Sequence, residues 1–143
     1  MDLDIAFLLV FFVLFVALLA SPIFLSRQKA AEEKHATPLF EESCAVRRDF
    51  ESGSSVGRNM FLWRVSLYSE FMVLALFSRL VIPYREIDRV EIKNFTDYKE
   101  VWIRRNVEPT GELITVRSKN AERMIEVFNS AGVRYDPGRP QSG

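Results

Sequence analysis

The stretch SLYSEFMVLALFSRLVIPYREIDRVEI, residues 66–92, sets two apolar runs back to back and follows them with a proline and a burst of mixed charge. Just upstream, Phe61, Trp63, Val65 and Leu67 share one side of the chain, and Arg64 and Ser66 share the other. That period of two marks a half-buried strand over Asn59–Tyr68. Ser69-Glu70 turns the chain, and Phe71–Phe77 then runs without a polar residue. Such a run also suits a buried helix segment or a second membrane element. Glu70 and Arg79 leave only eight residues between charges, however, too few for an ordinary span. The hairpin-like layout favours a strand here and a third over Arg79–Pro83. Proline cannot donate to a ladder, so Pro83 belongs at a strand end or edge. Arg85–Arg89 forms a turn with Ile87 directed back into the core. Val90 and Ile92, alternating with Glu91 and Lys93, begin a fourth strand.

Toward the C-terminus, Lys99–Arg105 and Glu112–Arg117 supply two more strands around a 106–111 loop; in the last, Leu113 and Thr115 oppose Ile114 and Val116. The rhythm then changes. Ala121, Met124, Ile125 and Phe128 fall at i, i+3, i+4 and i+7, the apolar stripe of a helix over residues 120–131. Asn120 is its expected N-cap, and Gly132 is placed to end it. Burying an Ile or Phe of that stripe contributes about 1.5–3 kcal/mol each, which makes the helix part of the core. Residues 134–143 read as a flexible tail.

Toward the N-terminus, Ala45–Phe50 reads as a short strand before the Ser/Gly loop 51–55. Residues 26–43, charged and rich in small side chains, read as a juxtamembrane stalk. Residues 1–25 are different in kind. No charge occurs from Ile5 to Leu25, and about 21 residues at roughly 1.5 Å per residue reach about 31 Å, the thickness of a bilayer's hydrocarbon core. Pro22 sits near the end of this segment, where a missing helical donor is easiest to accommodate. A cleaved secretory signal is the competing reading, supported by the small residues Ala20-Ser21. The acidic start, Met1-Asp2-Leu3-Asp4, argues against it. Arg27, Lys29 and Lys34 follow the span and no base precedes it, so the expected topology is single-pass in an inner or plasma membrane. The N-terminus would lie outside and the C-terminal domain in the cytoplasm. A lone Cys44 suits a reducing compartment.

From Phe61 to Gly132 the chain resembles the bacterial pleckstrin-homology-like (PH-like) domains, including those carried behind short membrane anchors. The resemblance covers about half of the 143 residues. Residues 66–92 look like that family's hairpin, its I-P-Y-x-x-I element at Ile82-Pro83-Tyr84 and Ile87, and its next strand. NAERMIEVFNSAGV, residues 120–133, resembles the helix that plugs one end of the family's partly open barrel. The resemblance implies a PH-like domain over 44–133: a mainly antiparallel β, partly open barrel closed by a C-terminal α-helix and preceded by a single N-terminal transmembrane helix. Pro83, Tyr84, Ile87, Met124, Ile125 and Phe128 would then be structural.

The chemistry-bearing residues are sparse. The 143 residues include 19 basic and 19 acidic side chains, and setting aside Asp2 and Asp4 leaves a near-neutral body. That balance gives no footprint for nucleic acid. His35 and Cys44 are the single histidine and cysteine, short of a zinc ligand set, and no metal or other cofactor is expected. No nucleophile elbow and no glycine-rich phosphate loop occurs, so the chain is expected not to be an enzyme. Lipid recognition is what the resemblance brings to mind first, yet Ser69-Glu70 puts no basic cluster at the hairpin turn. Arg47, Arg48, Arg58 and Arg64 remain candidates for weak contact with anionic lipid. Phe95, Tyr98 and Trp102, interleaved with Lys93, Lys99, Arg104 and Arg105, are residue types enriched at protein interfaces. Phe95, Tyr98, Trp102, Arg104 and Arg105 form the candidate protein interface, with core packing the competing role for Trp102. The expected function is a membrane-anchored, non-enzymatic interaction or assembly module, an accessory subunit whose partners are the bilayer and other membrane-complex subunits. An anionic-lipid sensor is the alternative, and an enzyme of unknown class a remote third.

Overall fold

A computed structural model describes residues 3–27, 31–56, 63–106 and 111–138. Helix α1 spans Leu3–Arg27, followed by strands β1 (Phe40–Phe50), β2 (Ser55–Val56), β3 (Trp63–Leu67), β4 (Phe71–Ala75), β5 (Arg79–Pro83), β6 (Ile87–Asn94), β7 (Lys99–Arg105) and β8 (Glu112–Ser118). Helix α2 (Ala121–Ser130) and strand β9 (Tyr135–Asp136) complete the chain. The sheet runs β5-β4-β3-β1-β8-β7-β6-β9, with β2 attached to β1. Every pairing is antiparallel except β6 with β9. The result is an open, curled sheet with α2 packed against it.

Helix α1 is apolar on all sides. Mean hydropathy over Asp4–Ser21 is 2.7 with none of that window buried, so the helix is long and apolar enough to cross a membrane. It continues through Pro22, whose ring nitrogen has no hydrogen to give the Leu18 carbonyl. The Ser21 hydroxyl donates to that carbonyl instead, at 2.9 Å.

The curl comes from β1, which changes partner along its length. Phe40–Cys44 pairs with β3, and Ala45–Phe50 pairs with β8. Inward residues of both halves, Cys44 and Val46 among them, join Val65, Met72, Leu74, Ile103, Ile114 and Val116 in one core. Met124, Ile125 and Phe128 of α2 complete it. The Tyr84 ring meets Phe128 edge-on at 5.6 Å, and its hydroxyl donates to the Tyr68 carbonyl at 2.6 Å. Ile87 is buried, and Pro83 ends β5.

Several boundaries differ from the sequence reading. The first strand starts at Phe40, inside the segment read as a stalk, because Phe40 finds Leu67 as its partner. The strand read as Phe71–Phe77 stops at Ala75, and Phe77 sits on the turn before β5, 66 % exposed. A 3-10 turn at Tyr84–Glu86 replaces the longer turn, and β6 begins at Ile87. Tyr135–Asp136, within the expected tail, adds a parallel strand to β6. Asn120 does not cap α2 with its side chain. Its amide instead donates to Glu42 at 3.1 Å, and Glu42 also accepts from the Lys119 N–H. Gly132, at φ +81°, ends the helix in a Schellman turn: its N–H donates to Asn129 and that of Val133 to Phe128.

The face of β3 that carries Arg64 and Ser66 was expected to be solvated and is buried. The segment following α1 lies over it. Glu33, 1 % exposed, accepts from Arg64 Nη1 and Nη2 at 2.7 and 3.1 Å and from the Tyr68 hydroxyl at 2.7 Å. Arg64 also donates to Ser66, which donates to Glu41. Ala36 packs beside Tyr68, Val73 and Ala75 over the same outer face. A buried ion pair holds only when each charge keeps its hydrogen bonds, as here, and removing one member strands the other. Arg64→Met is therefore expected to undock residues 31–39 at a cost of up to about 3 kcal/mol, since Glu33 can swing into water. Hydrogen exchange should show amides of that segment losing protection while those of β7 and β8 keep theirs.

Burial also decides the response to alkali. Burial, with Glu42's charge and hydrogen bond behind it, pushes the Cys44 thiol far up. Burial and the hydrogen bond to Glu33 push Tyr68 up to about 12. Both groups fold in their neutral forms, so their contribution is intact below the unfolded values of about 8.5 and 10. It is lost as pH climbs from those values toward the folded ones. Denaturant titrations should show stability falling above about pH 9. Tyr68→Phe should make the fall above about pH 10 shallower without abolishing it, because burial also raises the Tyr84 hydroxyl.

Candidate binding cleft

On the outer face of the β1–β8–β7 sheet the ladder lines up two cross-strand rows. Arg47 is opposite Thr115, which is opposite Trp102; Ala45 is opposite Arg117, which is opposite Glu100. Side chains alternate across a strand, so these residues point away from the core that Val46, Val101, Ile103, Ile114 and Val116 fill. The turn between β6 and β7 closes one end. There the Phe95 N–H donates to the Tyr98 carbonyl at 2.9 Å and the two rings stack at 4.7 Å. The rows and the turn enclose a cleft of about 270 Å³, with Thr115 among its lining residues. A second depression of about 520 Å³ shares Phe95, Tyr98 and Arg117 with it.

The cleft's charges are held in place. The Arg117 guanidinium lies over the Tyr98 ring at 3.7 Å, and its Nη2 is 3.6 Å from Glu100. Trp102 donates its indole N–H to Glu100 at 3.0 Å, and Lys93 stands over the Trp102 ring at 5.3 Å. Arg47 is exposed and donates from Nε to Asp49 at 2.8 Å. Two polar atoms are left over. The Thr115 hydroxyl, on a residue only 5 % exposed, and the buried Nε of Arg117 have no hydrogen-bond partner among the described residues.

Sequence reasoning separated Arg47, as a lipid contact, from Phe95, Tyr98 and Trp102, as an interface. The structure puts all four around one cleft. The other candidates lie elsewhere. Arg104 is on the same face beyond Trp102, 3.8 Å from Glu91. Arg105 points to the opposite face, bridging Glu86 at 2.7 Å and Glu112 at 3.0 Å. Arg48 also pairs with Glu112, whose side chain is almost fully buried. Arg64, buried, is spent on Glu33 inside the sheet's outer layer, whereas the part-exposed Arg48 is engaged by Glu112. Arg58 lies outside the described residues. Thr115 and Arg117 were not singled out from the sequence; their shared parity with Leu113 was visible, their register against Arg47 and Trp102 was not.

Among the described residues no group of three or more His, Cys, Asp or Glu is placed to hold a metal ion. His35 is exposed, and Cys44 is buried with its thiol donating to Glu42 at 3.3 Å. No protein-family model matches this chain, and no curated protein matches it significantly.

Proposed function

We propose that the chain is a membrane-anchored, non-enzymatic interaction module that binds another subunit of a membrane complex through the cleft around Thr115. The span would cross an inner or plasma membrane with the N-terminus outside, and a PH-like domain would stand on the cytoplasmic side. Arg27, Lys29 and Lys34 beyond the apolar helix support that orientation. The open, curled sheet with its packed C-terminal helix agrees with the PH-like reading at the level of architecture.

One observation carries the function: a walled cleft of aromatic rings and pre-positioned arginines that keeps a buried hydroxyl and a guanidinium N–H unpartnered. Aromatic and arginine side chains in partly desolvated pockets are where binding energy concentrates in protein interfaces. The acid in the wall, Glu100, is set against Arg117 and the Trp102 indole, an arrangement suited to recognition more than to proton transfer. A photo-crosslinking residue at Phe95 should capture a stoichiometric partner that co-purifies in gentle detergent. The same residue at Arg123, exposed on α2, should not. Recovery of an uncrosslinked monomer from both would reject this reading.

Lipid contact is the second reading, and Phe77 favours it. That ring is exposed on the turn after β4, and α1 comes within 8 Å, Cα to Cα, of β4. An exposed aromatic beside an anchor can enter the interfacial layer. Phe77→Ser should then weaken protection of residues 76–79 in nanodiscs with anionic lipid, compared with detergent. Identical hydrogen exchange in the two settings would dismiss the contact.

A further inference from the structure

We infer that the cleft around Thr115 takes a carboxylate from a partner polypeptide, an Asp or Glu side chain or a chain terminus, with an apolar neighbour laid against Phe95 and Tyr98. This rests on the interaction reading above and names the chemistry that the cleft selects.

The groups that converge there are donors. Arg117 Nε can only donate, and its hydrogen has no acceptor among the described residues. The Thr115 hydroxyl can donate and is equally without a partner. Arg47, directly across the ladder from Thr115, adds a second guanidinium whose side chain is more than half exposed. Two guanidinium groups flanking a buried hydroxyl match a planar acceptor with two oxygens. The charge the cleft tolerates is limited, because Glu100 stands 3.6 Å from Arg117 and Asp49 2.8 Å from Arg47. A single negative charge suits that surrounding, whereas a dianionic phosphate would meet both carboxylates. Beside these donors the stacked Phe95–Tyr98 pair offers a flat apolar wall, which a peptide side chain adjoining the acid can cover. The cleft also lies on the half of β1 paired with β8, while α1 approaches β3 and β4, so its mouth belongs to a different part of the sheet from the anchor.

The test uses the full chain in nanodiscs, panned against a display library of random short peptides. Selected peptides should carry an acid or a free C-terminus next to an apolar residue. Replacing that acid by its amide should weaken binding roughly tenfold or more. Thr115→Val should lose a comparable factor while the unfolding midpoint holds or rises, because the variant removes a buried hydroxyl that the free protein leaves unpaired. A general defect in folding would move the midpoint down instead. Arg117→Lys should weaken the peptides as well, since an ammonium cannot replace Nε. Recovery of no peptides, of neutral peptides, or of peptides indifferent to Thr115→Val overturns the inference. So does displacement by inorganic phosphate more readily than by acetate at equal ionic strength. Should Phe95 crosslink a partner whose binding ignores the amide replacement, the carboxylate is rejected and the interaction reading stands. Should it crosslink nothing, the interaction reading itself has failed.

Discussion

Strand β1 cannot serve one neighbour along its whole length, and the rest of the domain follows from how it divides. Its first half takes β3 as partner and its second half takes β8. A strand shared in this way bends the sheet, which brings inward residues of both halves toward one core and leaves two edges, β5 and β9. The same division sets the outer face. Because Ala45–Phe50 lies against β8, Arg47 stands across from Thr115 and Ala45 across from Arg117. The small Ala45 next to Arg117, and a threonine between Arg47 and Trp102, leave the space that becomes the cleft.

Charge in this protein divides into two kinds by burial. Arg64, Arg48 and Arg105 are structural: each faces a carboxylate with little or no exposure, Glu33 or Glu112. Such pairs contribute little net stability over apolar groups of the same size, but they penalise any arrangement that breaks them. Arg47 and Arg117 are different, since their acidic neighbours hold them at the rim of an open space. An arginine positioned by a ring face and a nearby acid has lost part of its conformational entropy before a ligand arrives.

The clamp at Glu33 links this body to α1. Between Arg27 and Ala31 the chain has three residues, and at most about 3.8 Å separates successive Cα atoms. With Glu33 fixed on Arg64 and Tyr68, the domain cannot stray far from the end of the apolar helix. The cleft, on the half of β1 paired with β8, lies on a different part of the sheet from β3 and β4, which α1 approaches.

Much of the fold was legible because it follows from local chemistry. The apolar helix is a run without charge, the strands are alternations, and α2 is a stripe at helical spacing ended by a glycine that can adopt positive φ. The apolar outer face of β4 was visible as an unbroken run, but what covers it was not. Ala36 and Glu33 reach that face only because the chain folds back after α1. Asn120 shows the same limit, its capping tendency overridden by Glu42 from a strand far away in sequence. Thus the order and kind of the main elements, the apolar helix, the longer strands and α2, were set by the sequence alone, through periodicity and backbone preference, while β2, β9 and the first half of β1 were not. The register that assembles Arg47, Thr115, Trp102 and Arg117, the burial of Arg64 and the pairing of Arg48 with Glu112 were decided only by tertiary structure, because pairing between distant strands depends on how the whole core packs.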